Sequence, residues 1–272
     1  MNKDSILQKF KKFVGVKFRS IDEISPDFSN AIYLINDAYI VRDSAKIKDP
    51  LVSFSAEKSI LEKLEPLDVT EKILHYSGTT GFKIARYIKT SPMYSVMTNA
   101  TILSFVRTIK KIHKVECSEI RTFDPLRDLY TYKNLVKEEF HISEKKENKI
   151  LKSLNTDKLP KVPSQSNLEE QKIKIFENKV KLVDFRFISM NSPLFDLAYF
   201  SLTYNLTAEQ NQYLLDKYFG YKNKLKYTKL IESYRKYILI LKYYRNCYYY
   251  TISGDIWYLN LKNELKNIIT TF

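Results

Sequence analysis

Apolar residues fall at helical spacing over residues 4–13, where Ile6, Leu7, Phe10 and Phe13 share a face and Asp4 or Ser5 can cap the start. The pattern then shortens to alternation. Residues 31–42 read as two β-branched and aromatic runs either side of Asn36-Asp37, a tight-turn pair, and so as a hairpin. Residues 56–64 return to helical spacing, with Ile60, Leu61 and Leu64 together. Residues 72–76 and 82–88 read as two further strands around residues 77–81. From Asn99 helical spacing dominates, with Ile102, Phe105, Val106, Ile109 and Ile112 on one face. It continues over residues 125–140, while residues 141–157 are Lys-, Glu- and Asn-rich and read as a solvated helix or an insertion. After Asp196 the chain is helical again, over residues 197–202, 209–219, 227–249 and 255–269. Strands early and helices late predict an α+β protein.

One stretch breaks the helical run. Ile173, Ile175 and Phe176 are followed by Glu177-Asn178-Lys179 and then by V-K-L-V-D, residues 180–184. That is a hairpin with a polar turn, and alternation puts Val180, Leu182 and Asp184 on one face. A carboxylate at the end of an apolar strand must be paired or bind a cation, because a bare buried charge is costly. Asp184 is therefore the first candidate functional residue.

Composition narrows the classes. The chain has 272 residues, enough for one large domain or two lobes, and 44% of them are hydrophobic, which excludes a disordered chain. No apolar run reaches the roughly 18 residues of a membrane span. The Lys-rich start lacks the apolar segment of a signal peptide. Cys117 and Cys247 stand in no metal-ligand spacing, so a reducing compartment, the cytoplasm, is expected. The net charge of +14 points toward polyanions. Yet Lys, Asn, Ile and Tyr are abundant throughout, as an AT-rich coding sequence produces, and no zinc spacing or nucleic-acid motif accompanies the charge. No specific nucleic-acid partner is expected; a basic nucleic-acid binder, with salt-dependent affinity, is the remote alternative.

The run V-D-F, residues 183–185, followed by P-L-F-D-L-A, residues 193–198, resembles the choline/ethanolamine kinase and aminoglycoside phosphotransferase superfamily. The resemblance implies a bilobal protein-kinase-like α+β fold, with a small β-rich N-lobe at residues 1–88 and a larger helical C-lobe at residues 89–272. The catalytic-loop and metal-strand segment would occupy residues 161–198. It further implies Mg²⁺ on Asp184 and ATP under the hairpin of residues 31–42. Ser29 and Asn30 match the nucleotide flap, Arg42 matches the cation over the phosphates, and Glu57 matches its helix partner. The adenine would meet backbone around Tyr87. In choline kinases late aromatic rings cage the trimethylammonium group; Tyr244, Tyr248, Tyr250 and Trp257 fall near that segment, with packing as the alternative role.

Two departures alter the implied chemistry. The flap, residues 23–30, has no glycine, although glycines let backbone N–H groups approach phosphates. The catalytic loop H-x-D-x-x-x-x-N is matched by Gln165, Asn167 and Lys172. Asn167 can hydrogen-bond a substrate hydroxyl but cannot take its proton. Lys172 brings a cation where a metal ligand stood, and so costs one metal site or contacts phosphate directly. Glu169 or Glu170 would be the working carboxylate in a shifted loop. Two functions follow. One is an ATP-dependent kinase of an amino alcohol, with choline, ethanolamine, an aminoglycoside or another alcohol as acceptor and with impaired or rearranged catalysis. The other is a pseudokinase, a nucleotide-binding or interaction module with weak or absent ATP and Mg²⁺ binding and room for a protein partner.

Overall fold

The computed structural model describes residues 3–24, 31–43, 48–90, 97–176, 179–220 and 224–272. In chain order the elements are α1 (Lys3–Val14), β1 (Ile21–Glu23), β2 (Ile32–Ile35), β3 (Tyr39–Arg42), α2 (Phe54–Leu64), β4 (Ile73–Tyr76), β5 (Lys83–Arg86) and α3 (Asn99–Ile112). There follow α4 (Pro125–Lys133), α5 (Glu144–Leu154), β6 (Val162–Ser164), β7 (Ile173–Phe176), β8 (Lys179–Leu182), β9 (Ser189–Asn191), α6 (Pro193–Thr203), α7 (Ala208–Phe219), α8 (Lys224–Ser253) and α9 (Ile256–Thr270). They form two compact units. The first is Met1–Ile120 with Gln171–Ile188; the second is Arg121–Glu170 with Ser189–Phe272. The boundary expected after Ile88 thus falls inside the first unit. The reason is packing: α3 lies on β8, where Thr108 donates to the Val180 carbonyl and Ser104 accepts from the Val180 N–H.

The first unit is built on an antiparallel sheet in the order β1-β2-β3-β5-β4. The β2–β3 turn is the expected Asn36-Asp37 pair, both left-handed at φ 54° and 52°. The Asn36 side chain also accepts from the N–H groups of Arg19 and Ser20, tying the turn to the incoming chain. Ile6 and Phe10 of α1 close a core with Tyr33, Ile35, Val41, Phe82 and Ile84. Ser53 caps α2, which buries Ile60, Leu61 and Leu64 and, unusually, Glu57. Strands β7 and β8 form the expected hairpin, whose turn residues Glu177 and Asn178 lie outside the described set.

The second unit is helical around α6, which is buried along most of its length. Ser192 caps it, and Pro193 follows at the first turn, where its missing N–H is harmless. The Phe195 ring meets Phe123, Tyr199, Tyr234 and Tyr237. The polar segment read as a solvated helix or insertion is α5, which packs on α8 and buries Ile150, Leu151 and Leu154. Strand β6 pairs with β9, which holds the chain entering the loop of Gln165–Asn167 beside the start of α6.

Candidate functional site

In the first unit the centre is Arg42. It ends β3, is 2% exposed, and gives Glu57 a two-armed ion pair at 3.0 and 2.7 Å. Its Nε and Nη2 also donate to the Gly81 carbonyl at 3.1 and 3.0 Å. Gly81 must be glycine here: φ is +71° and a Cβ would run into the Phe54 ring. Glu57 accepts further from the Tyr76 hydroxyl at 2.6 Å and the Phe185 N–H at 3.2 Å, so this fully buried carboxylate is paired on every side shown. Burial alone would lower the Arg42 pKa; Glu57 and Asp184 outweigh it and raise it.

Asp184 leaves β8 in a left-handed conformation, φ 62°, which aims its carboxylate at this cluster. Oδ1 accepts from Arg42 Nη1 at 3.0 Å and from Arg186 Nε at 2.6 Å. Oδ2 accepts from Arg186 Nη2 at 2.7 Å and lies 3.4 Å from Lys172 Nζ. Burial would raise the Asp184 pKa, but Arg186, Lys172 and Arg42 hold it well below the usual carboxylate range.

In the second unit the centre is the loop of residues 165–167. Asp196, in the first turn of α6 and fully buried, accepts from the Gln165 and Ser166 N–H groups, each at 2.9 Å. Ser166 is left-handed at φ 63°, which turns consecutive N–H groups onto one carboxylate. Gln165 folds back, its Oε1 accepting from the Asn167 N–H at 2.7 Å. Asn167 is 2% exposed, and its Oδ1 accepts from the Tyr199 hydroxyl at 2.7 Å and from Arg245 Nη1 at 3.1 Å. The other arm of Arg245 binds Glu169 at 2.7 Å. Burial, then the Glu169 charge, raises the Tyr199 pKa, so the phenol stays a donor.

No protein-family model matches the chain, and no curated protein matches it in sequence. Solved structures do. A choline kinase from Streptococcus pneumoniae superposes with a TM-score of 0.77 at 17% identity, covering 99% of each chain. A choline/ethanolamine kinase family protein from Mesorhizobium loti gives 0.79 at 14% identity, covering 100% of this chain and 94% of that one. An aminoglycoside 2'-phosphotransferase in complex with GDP gives 0.73 at 12% identity over 100% of both. The chain has the fold shared by choline/ethanolamine kinases and aminoglycoside phosphotransferases.

Within that kinase-like fold, Arg42, Glu57, Lys172 and Asp184 come together in the first unit, and Gln165 and Asn167 in the second. Ser29 and Asn30 lie outside the described residues. Tyr87 is half-buried just past β5, its N–H donating to the Ala38 carbonyl. The late aromatics have different neighbours. Tyr244 is fully buried, donates to Glu147 at 2.6 Å and accepts from the Ile142 N–H. Tyr248 lies against Tyr132, Tyr250 against Phe140, and Trp257 is exposed beside Tyr258. Glu169 is ion-paired to Arg245 and Glu170 is exposed.

The sequence reading missed Arg186, Tyr76, Tyr199 and Arg245. Arg186 carried a signal, a second charge two places after a buried carboxylate. Arg245 carried a fainter one, a cation inside an aromatic helix face.

Magnesium is the ion such kinase folds imply, and the residues around Asp184 do not fit it. Mg²⁺ needs oxygen ligands at about 2.0–2.1 Å in an octahedron. Both Asp184 oxygens are instead taken by cationic donors, and a dication there would sit beside Arg42, Lys172 and Arg186. Among the described residues no group of three or more His, Cys, Asp or Glu side chains is placed to hold a metal.

Proposed function

We propose that this chain is a pseudokinase: a nucleotide-binding protein on a choline-kinase-like fold that does not transfer phosphate. The observation that carries the reading is the state of Asn167. A phosphoryl acceptor needs a group that orients its hydroxyl and takes its proton, help worth about 10²–10⁴-fold. An amide takes no proton at neutral pH. Here its oxygen is also engaged by Tyr199 and Arg245. Glu169, the nearest alternative carboxylate in the loop, is committed to Arg245.

Nucleotide binding is supported by what is retained. The Arg42–Glu57 pair, matched by the resemblance to the nucleotide-site cation and its helix partner, is formed and holds the strand end in place beside Asp184. Among the structures sharing the fold, one of the pneumococcal protein holds AMP and the aminoglycoside phosphotransferase holds GDP. An active kinase of choline or ethanolamine type, with a rearranged centre, is the second reading; the same ion pair favours it.

Two measurements on one protein preparation separate these. ATP or ADP raises the unfolding temperature if the nucleotide reading holds; at about 100 times Kd the gain is roughly 2.7 kcal/mol. With ATP, Mg²⁺ and either choline or ethanolamine, phosphorylated product stays at the no-protein level. Protein-dependent phosphocholine or phosphoethanolamine overturns the pseudokinase reading in favour of the kinase.

A further inference from the structure

The cluster around Asp184 has the character of an anion site and not of a metal site. Five side chains converge there: the cations Arg42, Lys172 and Arg186 against the carboxylates Glu57 and Asp184. Arg42 is fully committed, bonded to Glu57, Asp184, Tyr76 and Gly81. Lys172 and Arg186 are different. Lys172 stands 3.4 Å from Asp184, a loose ion pair on a flexible stem, and its ammonium also lies 5.4 Å from the Phe187 ring centroid. Arg186 reaches Asp184 from only two residues away along the chain and binds it with a planar fork. Both can exchange one carboxylate oxygen for a phosphate oxygen while Arg42 keeps Asp184 paired. Phosphate offers the same acceptor geometry to a guanidinium as carboxylate does. The cost of burying these charges is thus already met by Asp184 before a ligand arrives.

We propose that the Asp184 cluster takes the polyphosphate of a nucleotide without a divalent metal, Lys172 and Arg186 supplying the positive charge that a bound metal would bring. The inference rests on the nucleotide-binding reading above. A metal ion works against this arrangement twice. It is repelled by the three cations around Asp184, and it neutralises the phosphates that two of them would bind.

The test is direct binding of ATP by the full chain, in excess Mg²⁺ and in excess EDTA, by calorimetry. Affinity in EDTA is expected to equal or exceed that in Mg²⁺. Lys172→Ala and Arg186→Ala should each weaken binding in EDTA by about tenfold, the value of one charge-assisted hydrogen bond. Both variants leave Asp184 paired to Arg42, so folding, checked by thermal unfolding, is retained. Lys172→Ala/Arg186→Ala together should bind ATP better with Mg²⁺ than without, because Asp184 is then open to a dication. Wild-type binding that is tenfold or more tighter in Mg²⁺ overturns the inference and leaves nucleotide binding standing. Absence of ATP binding at millimolar concentration in both conditions overturns the nucleotide reading itself, and this inference with it.

Discussion

Arg245 donates to the side-chain oxygen of Asn167 at 3.1 Å, and this contact decides what a carboxylate would do in its place. In Asn167→Asp the new carboxylate meets a buried guanidinium and the Tyr199 hydroxyl. Both stabilise the charged form and weaken it as a base. The variant should therefore fold, with an unfolding temperature close to the parent's, and gain no transfer of phosphate to choline or ethanolamine. A rise in turnover of 10²-fold or more, the usual value of such a base, would mean that Arg245 does not hold the position.

Arg42 is a structural residue before it is anything else. Arg42→Met leaves the fully buried Glu57 without its cation, although Tyr76 and the Phe185 N–H still donate to it. Breaking a buried pair from one side costs about 3–5 kcal/mol. Urea denaturation should show that loss as a lower midpoint at unchanged slope. Arg42→Met/Glu57→Leu together should recover much of it, since removing both charges removes the stranded one. A double variant no more stable than the single would contradict the pairing.

His75 couples the fold to pH. Its ring stacks on Phe13 at 3.5 Å, and burial, with Lys9 and Lys12 nearby, lowers its pKa below the usual 6.5. A lowered folded value means that the unfolded chain takes the proton first as pH falls. The stability contributed by the neutral ring is present above about pH 6.5 and is lost as pH drops through the folded value. From about pH 7.5 to about pH 5, the wild type should lose more of its unfolding temperature than His75→Phe does. Equal losses in the two proteins would contradict the assignment.

Tyr244 tests the role of the late aromatics. Tyr244→Phe removes a donor from Glu147, which is 2% exposed, and the acceptor of the Ile142 N–H. Unmet buried groups cost about 1–3 kcal/mol each, so the variant should unfold at a lower temperature. Choline at millimolar concentration should leave the unfolding temperature of both proteins unchanged. A choline-dependent rise in the wild type that Tyr244→Phe abolishes would return this ring to a substrate site.

Local chemistry explains how much of this was legible in the sequence. The Asn36-Asp37 turn could be read because both residues tolerate positive φ between β-branched runs. Asp184 could be read because a charge ending an apolar strand demands a cation. The resemblance then carried Arg42 and Glu57, which do pair. What escaped was long-range or double-valued. Arg245 and Asn167 are 78 positions apart, and nothing local announces that one caps the other. Tyr at helical spacing suits a cage or a core equally well, and packing against α5 took Tyr244. The division into two units is not local either, because β8 packs with α3, far earlier in the chain.

Whether this chain transfers phosphate is tested with γ-labelled ATP, without assuming an acceptor. The protein is held in excess over ATP with Mg²⁺, and the label is followed for loss to water, to the protein or to an added alcohol. Label should leave ATP no faster than in buffer alone, and Asp184→Asn should change nothing. Protein-dependent loss of the γ-phosphate that Asp184→Asn abolishes would contradict the pseudokinase reading.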